Sequence, residues 1–69
     1  MEILVYKKKE YTTITESARC LHVTVSLIYY YIKQGRLKVI SIDKLKLVEL
    51  NSLMLLNDYL KFRYTKNNH

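Results

Sequence analysis

The first half of the chain has apolar residues at helical spacing, interrupted by polar positions that can cap helices. Thr13 is followed three residues later by Glu16, the capping-box pattern in which each side chain bonds the backbone N–H of the other residue. A helix is therefore predicted to begin at Ile14, with Ile14, Ala18 and Leu21 on its buried face. It cannot extend far past Leu21, because β-branched residues follow.

A second helix is predicted between Thr24 and Gly35. Thr24 is a favourable N-cap, and Gly35 suits the C′ position that ends a helix. Val23 and Ile28 occupy the two positions of a hydrophobic staple, which would fix the angle at which this helix leaves the turn. His22 lies in the turn itself, and histidine is among the non-glycine residues enriched at positive φ.

After Gly35 the periodicity changes, and a two-residue turn at Asp43 and Lys44 predicts a β-hairpin. Its register pairs Ile42 with Leu45, Ser41 with Lys46, Ile40 with Leu47, Val39 with Val48, Lys38 with Glu49, and Leu37 with Leu50. Opposite charges then face each other at Lys38 and Glu49, which is a favourable cross-strand pair.

The predicted hairpin has two apolar faces. The face toward the helices carries Leu37, Val39, Val48 and Leu50. The other face carries Ile40, Ile42, Leu45 and Leu47. This second face needs a cover, and two are considered: the alternating residues 1–6 could add an edge strand, or a second subunit could pack there.

Asn51 is predicted to cap a last helix over residues 52–63. Its apolar residues form two nearly opposite stripes, whereas a monomeric surface helix needs only one. The stripe assigned to the core contains Leu53, Leu56 and Leu60. The stripe assigned to self-association contains Leu55, Tyr59 and Phe62.

The spacing of these residues resembles that of the excisionase/MerR-type winged helix-turn-helix family. The residues that carry the resemblance are Tyr11, Thr13, Glu16, Ala18, Leu21, Val23, Thr24, Ile28, Tyr29, Ile32, Lys33, Gly35 and Leu37. It extends to about Leu60 and implies a small α+β domain, residues 1–64, in which a helix-turn-helix precedes a β-hairpin wing and a C-terminal helix. It also implies double-stranded DNA as the ligand, with the second helix, about 25–34, in the major groove and the wing, about 37–50, on the backbone. Residues 65–69 are expected to be a frayed polar tail.

The chain has 69 residues and a formal net charge of +6 at pH 7. Its length suits one domain with a marginal core, so self-association or a ligand would help to hold it together. The charge suits a polyanion, either nucleic acid or an anionic membrane surface. Lys7, Lys8 and Lys9 would supply a minor-groove arm or only diffuse attraction. The C-terminal basic run is interpreted as a solvated tail and contains Lys61, Arg63 and Lys66.

The side chains of the second helix that can reach DNA are those outside its predicted core stripe, which consists of Ile28, Tyr31 and Ile32. Val25 and Ser26 lie in the first turn, where a methyl group and a hydroxyl discriminate only weakly between bases. Specificity would therefore rest partly on DNA shape. The candidate DNA-binding residues are Thr13, Thr24, Val25, Ser26, Tyr29, Tyr30, Lys33, Arg36, Lys44 and Lys46. The phosphate contacts among them are assigned to Thr13, Tyr29, Tyr30, Arg36, Lys44 and Lys46.

No catalytic site, cofactor or metal centre is expected. The tyrosines lack the Arg/His cluster of a strand-transferring recombinase, and no carboxylate pair has clear acid/base placement. His22, His69 and Cys20 are too few donors for a zinc site, and Cys20 is interpreted as structural. Neither a signal peptide nor a membrane-spanning segment is recognised, so a cytoplasmic, nucleoid-associated protein is expected.

Three functions are consistent with these features. The first is a small transcriptional regulator that occludes or bends its site. The second is an excisionase-like recombination directionality factor, working with a recombinase, or a partition protein, loading cooperatively on repeated sites. A homodimer or a cooperative oligomer on DNA suits both. The third, of another class, is a protein-interaction module without a DNA role, which would show no steeply salt-dependent affinity for duplex DNA.

Overall fold

Three helices and a four-stranded antiparallel sheet make up the described part of the chain. The structure is a computed structural model that describes the backbone of residues 1–67 and the side chains of residues 1–62. The elements, in chain order, are β1 (Leu4–Tyr6), β2 (Lys9–Thr13), α1 (Ile14–Leu21), α2 (Val25–Lys33), β3 (Val39–Ile42), β4 (Leu45–Glu49) and α3 (Leu50–Asn67). The α+β class is confirmed, and so is the succession of two helices, a hairpin and a third helix. A further hairpin precedes them.

α1 begins where the capping pattern predicts. Thr13 Oγ1 accepts a hydrogen bond from the Glu16 N–H at 3.1 Å, and the Ser17 hydroxyl donates to the Thr13 carbonyl at 2.8 Å. The reciprocal half of the capping box is wrong, because the Glu16 carboxylate accepts from Arg19 Nη1 at 3.2 Å instead. An opposite charge three residues along the helix is a nearby partner for this carboxylate.

α1 and α2 end in the same backbone motif. At the end of α1, His22 has a φ of 57° and the Val23 N–H donates to a carbonyl of the last turn at 3.0 Å. At the end of α2, Gly35 has a φ of 76° and the Arg36 N–H makes the equivalent bond at 2.9 Å. This is the Schellman arrangement, in which a left-handed residue lets two N–H groups satisfy helix carbonyls. The predicted ends of both helices are confirmed.

The turn between the two helices is short because only two residues separate the end of α1 from Thr24, the N-cap of α2. Thr24 Oγ1 accepts from the Leu27 N–H at 3.2 Å, as predicted. Val23 and Ile28, the predicted staple, both belong to the apolar core. The angle between the helices is thus set by capping and by core packing together.

The helices pack on one face of the sheet around a continuous apolar core. Its buried members are Ile14, Ala18, Leu21, Ile28, Leu37, Val48, Leu53 and Leu56. Its half-buried neighbours include Cys20, Tyr31, Ile32 and Leu60. The core faces predicted for all three helices are confirmed, and Cys20 contributes to packing.

The β3–β4 hairpin has the predicted register from Ile42–Leu45 to Val39–Val48. Asp43 and Lys44 have φ values of 48° and 69°, the positive values that a two-residue type I′ turn requires. The Glu49 N–H also donates to the Lys38 carbonyl at 2.8 Å. The outermost predicted pair, Leu37 with Leu50, is wrong, since Leu50 is already the first residue of α3.

The start of α3 differs from the prediction. Asn51 is not its N-cap, because the helix begins at Leu50, directly after β4. The Ser52 hydroxyl makes the local bonds instead, donating to the Glu49 carbonyl at 2.8 Å and accepting from the Lys38 N–H at 3.1 Å. The helix runs to Asn67 and so includes residues 65–67 of the predicted frayed tail, while residues 68 and 69 lie outside the described residues.

β1 and β2 form a second hairpin, of which only the edge strand was predicted. β1 pairs with β2, and β2 pairs with β4, which gives the strand order β1-β2-β4-β3. The turn consists of Lys7 and Lys8, whose φ values are 49° and 68°. The N-terminal segment therefore extends the sheet sideways, through a strand β2 that the sequence analysis missed.

The face of the sheet opposite the core is also apolar. Directly paired residues of antiparallel strands point to the same side, so the register assigns this face the apolar residues Leu4, Tyr6, Tyr11, Ile40, Ile42, Leu45 and Leu47, together with Lys9, Thr13 and Glu49. Tyr11 and Leu47 are buried on it, whereas Leu45 is 50% exposed. β1 lies beside β2 in the sheet and does not cover this face, and a covering second subunit stays a prediction.

Candidate nucleic-acid interface

A pocket of about 350 Å³ lies where the end of β2, the start of α1 and the β3–β4 turn meet. Its lining residues are Thr13, Ile14, Thr15, Tyr29, Lys44, Leu45 and Lys46. β2 runs antiparallel to β4 with Thr13 opposite Leu47, so the α1 N-terminus lies beside the first residues of β4. The β2–β4 pairing and the position of α2 thereby bring together four candidate DNA-binding residues from three separate parts of the sequence: Thr13, Tyr29, Lys44 and Lys46.

The chemistry of this pocket suits an anion. Lys44 and Lys46 are exposed and supply two positive charges, and the residues lining the pocket include no carboxylate. The first turn of α1 presents backbone N–H groups that lack partners within the helix. The nearest acidic side chain in that turn, Glu16, is paired with Arg19. A phosphate oxygen would find both cationic and N–H donors here.

Tyr29 connects α2 to the hairpin. The Lys46 Nζ lies 5.5 Å from the centroid of the Tyr29 ring, within the range of a cation–π contact. The Tyr29 side chain remains 46% exposed. The Tyr29 side chain therefore extends from α2 to the pocket, which it lines together with the two lysines.

The outward face of α2 is the one predicted. Thr24, Val25, Ser26, Tyr29, Tyr30 and Lys33 are all exposed. The opposite side carries Ile28, which is fully buried, with Tyr31 and Ile32 half-buried against the core. The Tyr30 hydroxyl accepts from Gln34 Nε2 at 2.8 Å and retains its own proton as a donor. The helix thus offers a continuous exposed surface next to the pocket.

Arg36 lies elsewhere. Its guanidinium is 5.0 Å from the centroid of the Tyr59 ring on α3, and it does not line the pocket. This contact ties the end of α2 to α3 and draws Tyr59 into an intramolecular interaction. Its assignment to phosphate therefore has less structural support than that of Lys44 and Lys46.

α3 presents the predicted apolar stripe. Leu55 and Phe62 are 68% and 69% exposed, and Tyr59 is 43% exposed. Such a continuous apolar surface is typical of a contact with another protein.

The N-terminal lysines form a hairpin tip rather than a flexible arm. Lys7 and Lys8 are the turn residues, and Lys9 begins β2 with its Nζ 3.6 Å from Glu49 Oε2. Sequence reasoning could have found this turn by testing the register that pairs Tyr6 with Lys9 and Leu4 with Tyr11. That register places three apolar side chains on one face.

No protein-family model matches this chain, and neither a curated protein nor a solved structure shows significant similarity to it. Among the described residues, no three His, Cys, Asp or Glu side chains are grouped as a metal site would require. The described helices also include none that is both long and apolar enough to cross a bilayer.

Proposed function

We propose that this protein binds double-stranded DNA as a small winged helix-turn-helix regulator that occludes or bends its site. α2 would occupy the major groove, and the β3–β4 hairpin would act as the wing on the adjacent backbone. The observation that carries the proposal is the pocket in which Thr13, Tyr29, Lys44 and Lys46 converge. It provides phosphate-binding chemistry directly beside the exposed face of α2.

The proposed docking divides the contacts by role. Lys44, Lys46 and the α1 N-terminus would position the protein on phosphates, which carries no sequence information. Val25 and Ser26 would meet base edges, since both are exposed in the first turn of α2. This first turn has no Arg, Asn or Gln for bidentate recognition, so modest discrimination supported by DNA shape is expected.

The proposal is tested by fluorescence-anisotropy titration of duplexes from the gene's own upstream region and of scrambled duplexes, each over a salt series. We expect an affinity that falls steeply with salt, together with a preference for particular sequences. Steep salt dependence without preference would support shape-dependent architectural binding. Absence of binding at moderate salt would refute the DNA role and favour the protein-interaction module.

The exposed stripe of α3 favours a second candidate, an excisionase-like or partition factor that loads cooperatively. Leu55, Tyr59 and Phe62 would then join neighbouring copies on repeated sites, as a homodimer or a longer oligomer. We expect the wild type to self-associate in analytical ultracentrifugation, free or on DNA, and Leu55→Ser/Phe62→Ser to be monomeric. Both side chains are more than two-thirds exposed, so the variant should keep its fold. A monomeric wild type at high concentration, with and without duplex, would refute this surface.

A further inference from the structure

The structure has two hairpin tips that carry lysine, and only one of them borders the pocket at the α1 N-terminus; the other borders a separate pocket of about 380 Å³. The pocket tip consists of Asp43 and Lys44, and the N-terminal tip consists of Lys7 and Lys8. Both are two-residue turns with positive φ at each central position, a geometry that favours Asn-Gly. Lysine nevertheless occupies three of these four strained positions. Strained backbone is found preferentially at functional sites, so a role for the side chains at the N-terminal tip is indicated.

The two tips lie at opposite ends of the sheet. The pocket tip is at the start of β4, the N-terminal tip is at the start of β2, and these strands run antiparallel. At 3.3 Å per residue, the register separates the tips by about 25 Å along the strands. Because screening lengths are about 8 Å at physiological ionic strength, the N-terminal tip adds little attraction for phosphates held at the pocket tip.

The side chains of the N-terminal tip are available to a ligand. The Lys7 Nζ lies 5.4 Å from the Tyr6 ring centroid, and both lysines are exposed. The neighbouring carboxylates are Glu49, which forms an ion pair with Lys9, and Glu10, which lies opposite Val5 in the register. Both carboxylates line one pocket together with Lys8 and Lys9. The tip therefore has two exposed lysines, and Glu10 is the neighbouring carboxylate that forms no ion pair among the described residues. This charge suits a weak phosphate contact.

We propose that the N-terminal tip contacts the phosphates of a second DNA segment, so that one protein molecule bridges two duplexes. The inference rests on the proposed function, since the pocket and α2 must hold the first duplex. The second contact is the weaker one, with two lysines and no helix N-terminus, so bridging is lost at lower salt than binding itself.

The test uses the full chain and a bead-immobilised duplex. Protein bound to the beads is offered a second, fluorescent duplex at low salt, and capture of the label is measured. Affinity for a single duplex is measured in parallel by anisotropy. The variant is Lys7→Asn/Lys8→Gly, which removes both charges and supplies the residues that this turn prefers, so folding is protected. Lys7→Arg/Lys8→Arg is the matched control that keeps the charges.

We expect the Asn-Gly variant to capture at least about fivefold less label, with single-duplex affinity within about twofold of the wild type, since two phosphate contacts are lost only from the second duplex. The Arg-Arg control should capture normally. Undiminished capture by the Asn-Gly variant overturns the proposal, as does absence of capture by the wild type when single-duplex binding is intact. A loss of single-duplex affinity in the Asn-Gly variant also overturns it, because the tip would then lie on the first duplex. Failure of the DNA-binding function itself is recognised separately, as absence of single-duplex binding by the wild type.

Discussion

Lys44→Gln/Lys46→Gln should weaken binding to every duplex by between roughly tenfold and a hundredfold at about 0.1 M salt. Both lysines line the pocket at the α1 N-terminus, where they are proposed to neutralise two phosphates. The slope of log K against log salt should become shallower by about 1.8, because each phosphate contact contributes about 0.9. Anisotropy titrations of specific and scrambled duplexes over a salt series measure both quantities.

Glutamine is chosen because it removes the positive charge of lysine and keeps a long polar side chain. Like lysine, it is an unbranched L-residue, so the conformational strain at position 44, where φ is 69°, should be similar in the variant. Loss of the Lys46 contact with Tyr29 should cost stability by less than about 1 kcal/mol, which a thermal melt can verify. If the variant folds normally and its affinity has the same salt dependence as that of the wild type, the two lysines do not contact DNA phosphates.

Ser26→Ala is the matched control that distinguishes a base contact from a phosphate contact. Ser26 is exposed in the first turn of α2, where it is proposed to meet base edges, so its loss should alter preference among sequences and leave the salt slope unchanged. The lysine variant should do the reverse, because phosphate contacts are the same on every duplex. If the effects were exchanged, the docking orientation proposed here would be wrong.

The elements that sequence reasoning identified are those with short-range signals. Thr13 and Thr24 each accept from an N–H three residues ahead, so the caps of α1 and α2 can be read locally. The β3–β4 register could be tested pair by pair across a two-residue turn at Asp43 and Lys44. Such signals do not depend on the remainder of the fold.

The N-terminal hairpin was missed because its turn has no glycine or asparagine. Lys7 and Lys8 read as a charge run, and the threonines at the end of β2 read as the approach to a helix cap. β2 pairs with β1 across this local turn and with β4 over more than thirty positions. The pairing with β1 could have been found by testing its register, whereas the pairing with β4 has no local signal in the sequence.

Long-range contacts also explain the error at the start of α3 and the position of Arg36. Asn51 is a good cap by local preference, but the Ser52 hydroxyl is fixed by the Lys38 N–H, a partner from the other side of the hairpin. Arg36 lies against Tyr59 only because α2 and α3 meet in the folded core. The pocket depends on the same kind of contact, since the sheet brings Thr13 to Lys44. Four of its seven lining residues were candidates from the sequence alone, but their convergence in one pocket could not be predicted.

Leu53→Ala should cost about 2–5 kcal/mol of the free energy of unfolding, the range for truncating a fully buried leucine. A chain of 69 residues has a total stability of only roughly 3–10 kcal/mol at typical values per residue. The variant should therefore melt at least about 10 °C below the wild type, or be unfolded at room temperature. Urea and thermal unfolding followed by circular dichroism measure the loss.

Leu55→Ala makes the same chemical change two residues further along α3, where the side chain is 68% exposed. Its cost should stay within about 0.5 kcal/mol in the monomer, because little apolar surface is re-exposed. The pair therefore tests which stripe of α3 faces the core, and similar losses in both variants would contradict the orientation of this helix. Saturating duplex should raise the melting temperature of both variants if only the folded state binds DNA. A Leu53→Ala protein restored by duplex would show that the ligand compensates for the marginal core of this small domain.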